Sequence, residues 1–145
     1  MKRIPAIKDV MTPFPYSIDS GKPLLDAKNM MVEHHIHHLP VTEEGKLFGV
    51  ITLSDIRLTS DPENDTIHKT GLCVKDFTVA SPYTVDLKEP LDNVLVHMAS
   101  QHIGSVVVMR GERLAGMFTL RDSCRVFGEY LRKYCRPPLG GDDVA

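Results

Sequence analysis

The chain has 145 residues, 42% hydrophobic and 25% charged, a composition typical of one compact globular domain or of two small halves that share a core. Its formal charge of −2 gives no general electrostatic reason to bind nucleic acid or an anionic membrane, and no apolar run approaches the ~20 residues of a membrane span. The N-terminus lacks a signal-peptide core and the three cysteines form no CxxC pair, so we expect a reduced cytoplasmic protein without a disulfide framework or a zinc–thiolate site.

The elements of the first half are, in chain order, an extended segment, a helix, two apolar strands and a second helix. Pro23 suits the first turn of the first helix, because a missing N–H costs little there. The apolar runs flank Glu43-Glu44-Gly45-Lys46, and this turn-like tetrapeptide predicts a β-hairpin. The extended segment is residues 16–18, the strands are 39–41 and 47–53, and the second helix begins at Ser54 or Asp55.

A polar stretch, residues 59–70, is predicted to be a linker, and the same order of elements then recurs. The segments are 83–85, a helix from Pro90, strands 106–109 and 114–120, and a helix from Arg121 or Asp122. This last helix carries an apolar stripe (Cys124, Phe127, Leu131 and Tyr134) that can pack on the first half or on a partner chain. The tail, residues 136–145, is predicted to be disordered.

The two halves are copies of one unit set 67 residues apart. Over residues 7–55 against 74–122, 16 of 49 pairs are identical without a gap, whereas chance gives roughly one identity in fifteen. The last matched block aligns Thr52-Leu53-Ser54-Asp55 with Thr119-Leu120-Arg121-Asp122. An internal duplication is therefore the main organising feature of the sequence.

The duplicated unit resembles the cystathionine-β-synthase (CBS) domain, and the pair resembles a Bateman module over roughly residues 7–130. The motifs that carry the resemblance are Asp9-Val10-Met11-Thr12-Pro13, Ile36-His37-His38-Leu39-Pro40-Val41, Gly49-Val50-Ile51-Thr52-Leu53-Ser54-Asp55-Ile56 and Gly116-Met117-Phe118-Thr119-Leu120-Arg121-Asp122. The resemblance implies an α+β fold of two βαββα repeats packed with pseudo-two-fold symmetry. Repeat 1 would occupy residues 1–58, and repeat 2 with its C-terminal helix residues 71–135.

The resemblance also implies a function. CBS pairs commonly bind AMP, ADP, ATP or S-adenosylmethionine in two clefts between the repeats, associate into homodimers and report metabolite status to another protein. We therefore expect a regulatory module that requires no cofactor, and whose regulated partner the sequence does not identify.

The Thr-x-x-Asp blocks are the candidate binding sites. Each lies where a strand gives way to a helix, so free backbone N–H groups and the positive end of the helix dipole suit a phosphate there. Thr52 and Ser54 add hydroxyl donors, and the Asp55 carboxylate can accept hydrogen bonds from both hydroxyls of a ribose. In the second copy Thr119 and Asp122 recur, and Arg121 offers a guanidinium to a phosphate.

Further contacts follow from the resemblance. His37 and His38 occupy positions at which nucleotide-binding relatives often carry basic residues, and histidine is mostly neutral at pH 7. We expect phosphate attraction there to be weaker and to rise as the pH falls toward 6, and the two clefts to differ. The apolar walls are implied to be Ser17, Ile18 and Pro40 in the Asp122 cleft, and Thr84, Val85 and Val107 in the Asp55 cleft.

Two alternatives stay open at the level of sequence, and a third is rejected. Asp at a helix start is often only a cap, so the module can be a dimerisation scaffold with vestigial clefts. His34 and His38 lie four residues apart, and on a helix end they would present two imidazoles to a metal such as Zn²⁺, although no third ligand is evident. An enzyme is not expected, because the sequence contains no nucleophile elbow, P-loop or HExxH motif.

Overall fold

A computed structural model describes residues 2–58 and 71–136, so the predicted linker and most of the predicted tail lie outside the described residues. Repeat 1 contains β1 (Thr12–Pro13), β2 (Ile18–Asp19), α1 (Leu24–Glu33), β3 (His38–Glu43), β4 (Lys46–Thr52) and α2 (Leu53–Leu58). Repeat 2 contains β5 (Val79–Ala80), β6 (Thr84–Asp86), α3 (Leu91–Gln101), β7 (Ser105–Arg110), β8 (Arg113–Thr119) and α4 (Leu120–Tyr134). The predicted order of elements is present in both halves. None of the described helices is long and apolar enough to cross a bilayer.

Each repeat is built on a sheet of four strands, in the orders β2-β3-β4-β5 and β1-β8-β7-β6. The central pairs are the predicted hairpins, and β2 and β6 run parallel to β3 and β7. The edge strands β5 and β1 each pair antiparallel with a strand of the opposite repeat. The repeats therefore exchange their N-terminal strands, an arrangement that the sequence patterns did not predict.

The exchanged segments also contribute to the cores. Ile7 is fully buried among the apolar side chains of repeat 2, and Val74 among those of repeat 1. The carbonyls of Pro5 and Leu72 accept hydrogen bonds from the first N–H groups of α3 and α1 (3.0 and 3.2 Å). Both helices follow a proline at the N-cap that makes no side-chain cap, so the exchanged chain satisfies donors that would otherwise lack a partner.

Three core clusters hold the molecule together. One lies under the helices of each repeat, and the third lies between the two sheets, where Val50, Val107 and Met117 are buried. Pro40 is paired with Val50 and Val107 with Met117 across the two hairpins. Because side chains opposite each other in a ladder point to the same face, these pairs place one face of each sheet against the other.

Candidate functional site

The Thr-x-x-Asp blocks form capping boxes at the starts of α2 and α4. In repeat 1 the Asp55 Oδ2 atom accepts hydrogen bonds from the Thr52 N–H (3.1 Å) and the Thr52 hydroxyl (2.7 Å). The Asp55 N–H donates to Thr52 Oγ1 (3.1 Å). Thr119 and Asp122 repeat this pattern in the second copy. The capping role set out as an alternative is therefore present in both copies, and it occupies one carboxylate oxygen of each aspartate.

The second carboxylate oxygen distinguishes the two copies. Among the described residues, Asp55 Oδ1 has no hydrogen-bond partner. Asp122 Oδ1 lies 3.7 Å from Arg125 Nη2, and that guanidinium also donates to the Val10 carbonyl (3.2 Å). Leu58 stands at the position of repeat 1 that corresponds to Arg125. Among the described residues, the Asp55 carboxylate therefore has more unused hydrogen-bonding capacity than the Asp122 carboxylate. The sequence analysis did not predict the contact of Arg125, although its i,i+3 spacing from Asp122 on a helix indicates such a pair.

His37 and His38 lie beside the junction of β4 and α2, where Asp55 is found, because the backbone of the hairpin pairs them with it. His38 is opposite Thr52 in the hairpin, and the His37 carbonyl accepts the N–H of Leu53 (2.9 Å). His38 also reaches the other repeat, because its Nε2 atom lies within 3.6 Å of the place that a Cβ on Gly104 would occupy. The structure thus brings His38, Thr52 and Asp55 together with Gly104 of repeat 2.

Burial lowers the pKa of His38 below the ordinary value of 6.5. The neighbouring His37 lowers it further, and the Asp55 carboxylate opposes both effects. The side chain is half-buried, while His37 is exposed. His38 is therefore neutral at pH 7, and the phosphate attraction expected on acidification moves to a lower pH than an ordinary histidine would give.

The remaining predicted site residues are more dispersed. The side chains of Ile18 and Val85 lie in the cores of their own repeats. At these positions only the main chain can contact a ligand in a cleft. Val107 is fully buried in the contact between the two sheets. Pro40 is also buried, beside this contact. Ser17, Ser54, Thr84 and Arg121 are exposed.

A cavity of about 450 Å³ opens between the repeats at the hairpin-turn end of the sheets. Thr84 and Val85 line it, together with Lys46, Leu47, Asp86, Met109, Gly111 and Glu112. Strand β4 begins at Lys46 beside this cavity and ends at Thr52, a span of about 20 Å for its residues. The cavity is therefore separate from the Asp55 junction, and it groups Thr84 with residues of repeat 1 that the sequence did not single out.

His34 and His38, the two residues of the metal alternative, do not lie on one helix in the structure. Helix α1 ends at Glu33, His35 adopts a left-handed conformation (φ 53°) and His38 already begins β3. The His34 ring stacks on Tyr16, with 3.7 Å between ring centroids. Within residues 2–58 and 71–136, no three His, Cys, Asp or Glu side chains are grouped as metal ligands.

Comparisons with known proteins agree on the family. A family model described as CBS domain matches residues 7–60 and 74–122. The chain is 30% identical over 127 residues to an L-aspartate semialdehyde sulfurtransferase of Methanocaldococcus jannaschii, covering 86% of this chain but 24% of that protein. It is also 30% identical over 125 residues to a CBS domain-containing protein of Dictyostelium discoideum, covering 80% of this chain and 86% of that protein. The chain thus spans about a quarter of the length of the archaeal relative.

Among solved structures, the CBS domain pair of protein MJ0100 matches with a TM-score of 0.76 and 28% identity. The match covers 88% of this chain and 99% of the other. That crystal structure is a complex with 5′-methylthioadenosine and S-adenosyl-L-methionine. The α+β fold of two repeats predicted from the sequence is confirmed by this match.

Proposed function

The chain belongs to the CBS domain family, and from this premise we propose that it is a regulatory module that binds an adenosine-containing ligand between its repeats. The proposal covers AMP, ADP, ATP, S-adenosylmethionine and 5′-methylthioadenosine as ligand class. It also includes a homodimer, signalling to a regulated protein, and action by binding rather than by catalysis. A cytoplasmic location stays a prediction.

The observation that carries the proposal is the state of the Asp55 carboxylate. Its Oδ2 atom is held by the capping box, which fixes the orientation of the group, while Oδ1 accepts no hydrogen bond from the residues that the structure describes. A preorganised carboxylate of this kind can accept hydrogen bonds from the two hydroxyls of a ribose, and hydrogen bonds to a charged acceptor are about twice as strong as neutral ones. The cap and the ligand contact therefore do not compete for the same oxygen.

The charge at this junction favours a ligand with little negative charge. His38, whose pKa is lowered, is largely neutral at pH 7, and the nearby Gly104 of repeat 2 brings no side chain. Neither of these two groups supplies a permanent cation to balance a triphosphate. We propose that the Asp55 cleft prefers S-adenosylmethionine or 5′-methylthioadenosine over ATP, and the similar MJ0100 pair forms a complex with both of the preferred compounds.

Thermal denaturation in the presence of each ligand tests the proposal. A ligand at about 100 times its dissociation constant stabilises the fold by about 2.7 kcal/mol, which raises the melting temperature by roughly 5–10 °C for a chain of this size. Asp55→Asn should remove more than half of this shift, because it weakens the acceptor while leaving the cap largely intact. Asp122→Asn is the matched control, and it should remove less because Arg125 already shares that carboxylate.

If none of the five ligands shifts the melting temperature of the wild-type chain, the nucleotide proposal is refuted. If both asparagine variants reduce the shift equally, the proposed inequality of the clefts is wrong.

A scaffold with vestigial clefts is the second candidate, and the complete capping boxes favour it because they explain both aspartates without a ligand. This function predicts a dimer whose melting temperature ignores every adenosine compound. Its Asp55→Ala and Asp122→Ala variants should each lose only capping energy, about 1 kcal/mol. Chemical denaturation without ligand, compared with the ligand screen, separates the two functions.

A further inference from the structure

The N-terminal exchanged segment, residues 2–13, and its counterpart before β6 dock through the same backbone contacts. The N–H groups of Ile7 and Lys8 donate to carbonyls of repeat 2 (2.9 and 3.2 Å), and those of the aligned Val74 and Lys75 donate to carbonyls of repeat 1 (2.9 Å each). Ile7 and Val74 are both fully buried. The main chain and the apolar anchor are therefore alike in the two segments, and the difference between them lies in the polar side chains.

Lys75 and Lys8 occupy aligned positions but have different surroundings. Lys75 Nζ forms an ion pair with Glu43 Oε1 (2.7 Å), an oxygen that also accepts a hydrogen bond from Ser20 (3.3 Å). The hydrogen bond to Glu43 raises the pKa of Lys75. Arg110 stands at the position of repeat 2 that corresponds to Glu43. Lys8 therefore meets a second cation at the position where Lys75 has its carboxylate partner.

Helix α4 supplies the long-range polar contacts that the described part of the N-terminal segment does make. Arg125 Nη2 donates to the Val10 carbonyl (3.2 Å), and Lys2 Nζ lies 3.1 Å from the centroid of the Tyr134 ring. No residue of α4 is buried, and Val126 is the residue of this helix that packs on the repeat 2 core. The predicted apolar stripe does not anchor the helix either, because its large members are between 40% and 60% exposed, namely Phe127, Leu131 and Tyr134.

Arg125 joins the N-terminal segment to the Asp122 carboxylate. Its Nη2 atom lies 3.7 Å from Asp122 Oδ1 and 3.2 Å from the Val10 carbonyl oxygen. One guanidinium nitrogen thus serves both a candidate ligand site and the exchanged segment. Repeat 1 has no guanidinium at the aligned position, which is Leu58, so the connection belongs to one cleft of the two.

We propose that the N-terminal segment is a detachable strap and that Arg125 couples its docking to the Asp122 carboxylate. A ligand hydroxyl that takes Oδ1 of Asp122, or a phosphate that draws the guanidinium toward itself, removes Arg125 from the Val10 carbonyl and loosens the strap. Undocking withdraws Ile7 from the repeat 2 core and uncovers the edge of β8 that pairs with β1. The inference rests on the proposed ligand site and names how occupancy of that site changes the surface of the chain.

Hydrogen exchange of the ligand-free full chain, measured by NMR for single amides, tests the strap because it reports local opening. An exposed ion pair changes such an equilibrium by up to about fivefold, and a like-charge pair acts in the opposite direction. The protection factor of the Ile7 amide should be at least about fivefold lower than that of the Val74 amide. Arg110→Glu should raise the Ile7 value, and Glu43→Arg should lower the Val74 value.

Arg125→Met tests the contact with α4. It should lower the protection factor of the Ile7 amide by a further factor of about five, because one hydrogen bond to the strap is lost. Arg132→Met is the matched control, since Arg132 is an exposed arginine in the last turn of the same helix, and it should leave the Ile7 value unchanged. The Val74 value should stay constant in both variants, which separates loosening of the strap from a loss of global stability.

A double-mutant cycle without ligand tests the link to Asp122. Asp122→Asn removes the charge that orients Arg125 and should lower the Ile7 protection factor by about threefold. In the Arg125→Met background the same substitution should have no further effect, because the guanidinium is absent. With ligand, 5′-methylthioadenosine at saturation should lower the Ile7 protection factor relative to that of Val74 in the wild type, and should leave this ratio unchanged in Arg125→Met.

Equal protection of Ile7 and Val74, or additive effects of Asp122→Asn and Arg125→Met, would overturn the proposal. Binding is judged separately by the thermal shift. If 5′-methylthioadenosine stabilises the wild type without changing the ratio of the two protection factors, the coupling is refuted and the proposed binding function stands. If no ligand gives a thermal shift, the binding function is refuted, and the ligand-free measurements still decide whether Arg125 holds a detachable strap.

Discussion

At the scale of a single residue, His38 lies between the two repeats and makes the stability of the fold depend on pH. Its lowered pKa means that the unfolded chain binds a proton more readily than the folded chain. Stability should therefore be full above the ordinary pKa of 6.5 and should decline as the pH falls through the window between 6.5 and the lower folded-state value. Denaturant titrations at a series of pH values between 5 and 8 measure this slope.

His38→Asn should flatten the slope in this window, because the titrating group is removed. The control is His102→Asn at the exposed end of α3, where asparagine tolerates the left-handed backbone (φ 54°). An unchanged slope in His38→Asn would show that another group carries the pH dependence.

Asp55 and Asp122 belong to the same motif but have different neighbours. Thr52 and Asp55 match Thr119 and Asp122 in sequence and in capping geometry, and the difference lies one turn further along the helix, where Arg125 replaces a leucine. A motif repeated in both copies can therefore cap the helix start in each, while only in repeat 1 does the second carboxylate oxygen have no partner among the described residues. The chemical inequality that the sequence assigned to Arg121 and the histidines also depends on Arg125.

At the scale of elements, Gly49 and Gly116 fix how closely the exchanged strands approach. A Cβ on Gly49 would overlap the Val79 carbonyl of β5, and one on Gly116 would overlap the Met11 side chain just before β1. These contacts explain why glycine recurs at both positions. The exchanged edges cannot pair at this distance past a side chain.

Gly49→Ala and Gly116→Ala should each destabilise the fold by about 1–3 kcal/mol, as overpacking does. Gly49→Ala should cost more, since the obstructing atom belongs to the backbone, whereas the Met11 side chain can turn aside. Urea denaturation measures both, and Gly104→Ala, whose Cβ would make an ordinary 3.6 Å contact, is the control. Equal stability of Gly49→Ala and Gly104→Ala would contradict the close approach.

At the scale of the whole molecule, strand exchange makes the repeats depend on each other. Ile7 completes the core of repeat 2 and Val74 that of repeat 1, so neither half along the chain contains its own complete core. We expect one cooperative unfolding transition, with equal calorimetric and van't Hoff enthalpies. Two separate transitions, or a well-folded fragment of residues 1–58, would show that the repeats are independent.

The order of elements, the duplication and the two capping blocks were predictable from the sequence. Local patterns suffice for them: a turn between apolar runs, a proline before each helix, and Thr-x-x-Asp at each strand–helix junction. The α4 stripe was predictable for the same reason, because periodicity shows that an apolar face exists. Periodicity does not show in which direction that face points.

Only the tertiary structure decided which partners those local units have. The exchange of β1 and β5 and the approach of His38 to Gly104 bring together residues distant in the chain, and the α4 stripe faces outward. The metal alternative placed His34 and His38 together on a helix end, but α1 ends at Glu33, one residue before the histidine cluster begins. The sequence by itself determined two copies of a βαββα unit, since short-range periodicity encodes each element. Long-range packing decided how the copies interlock and which residues of the two repeats meet.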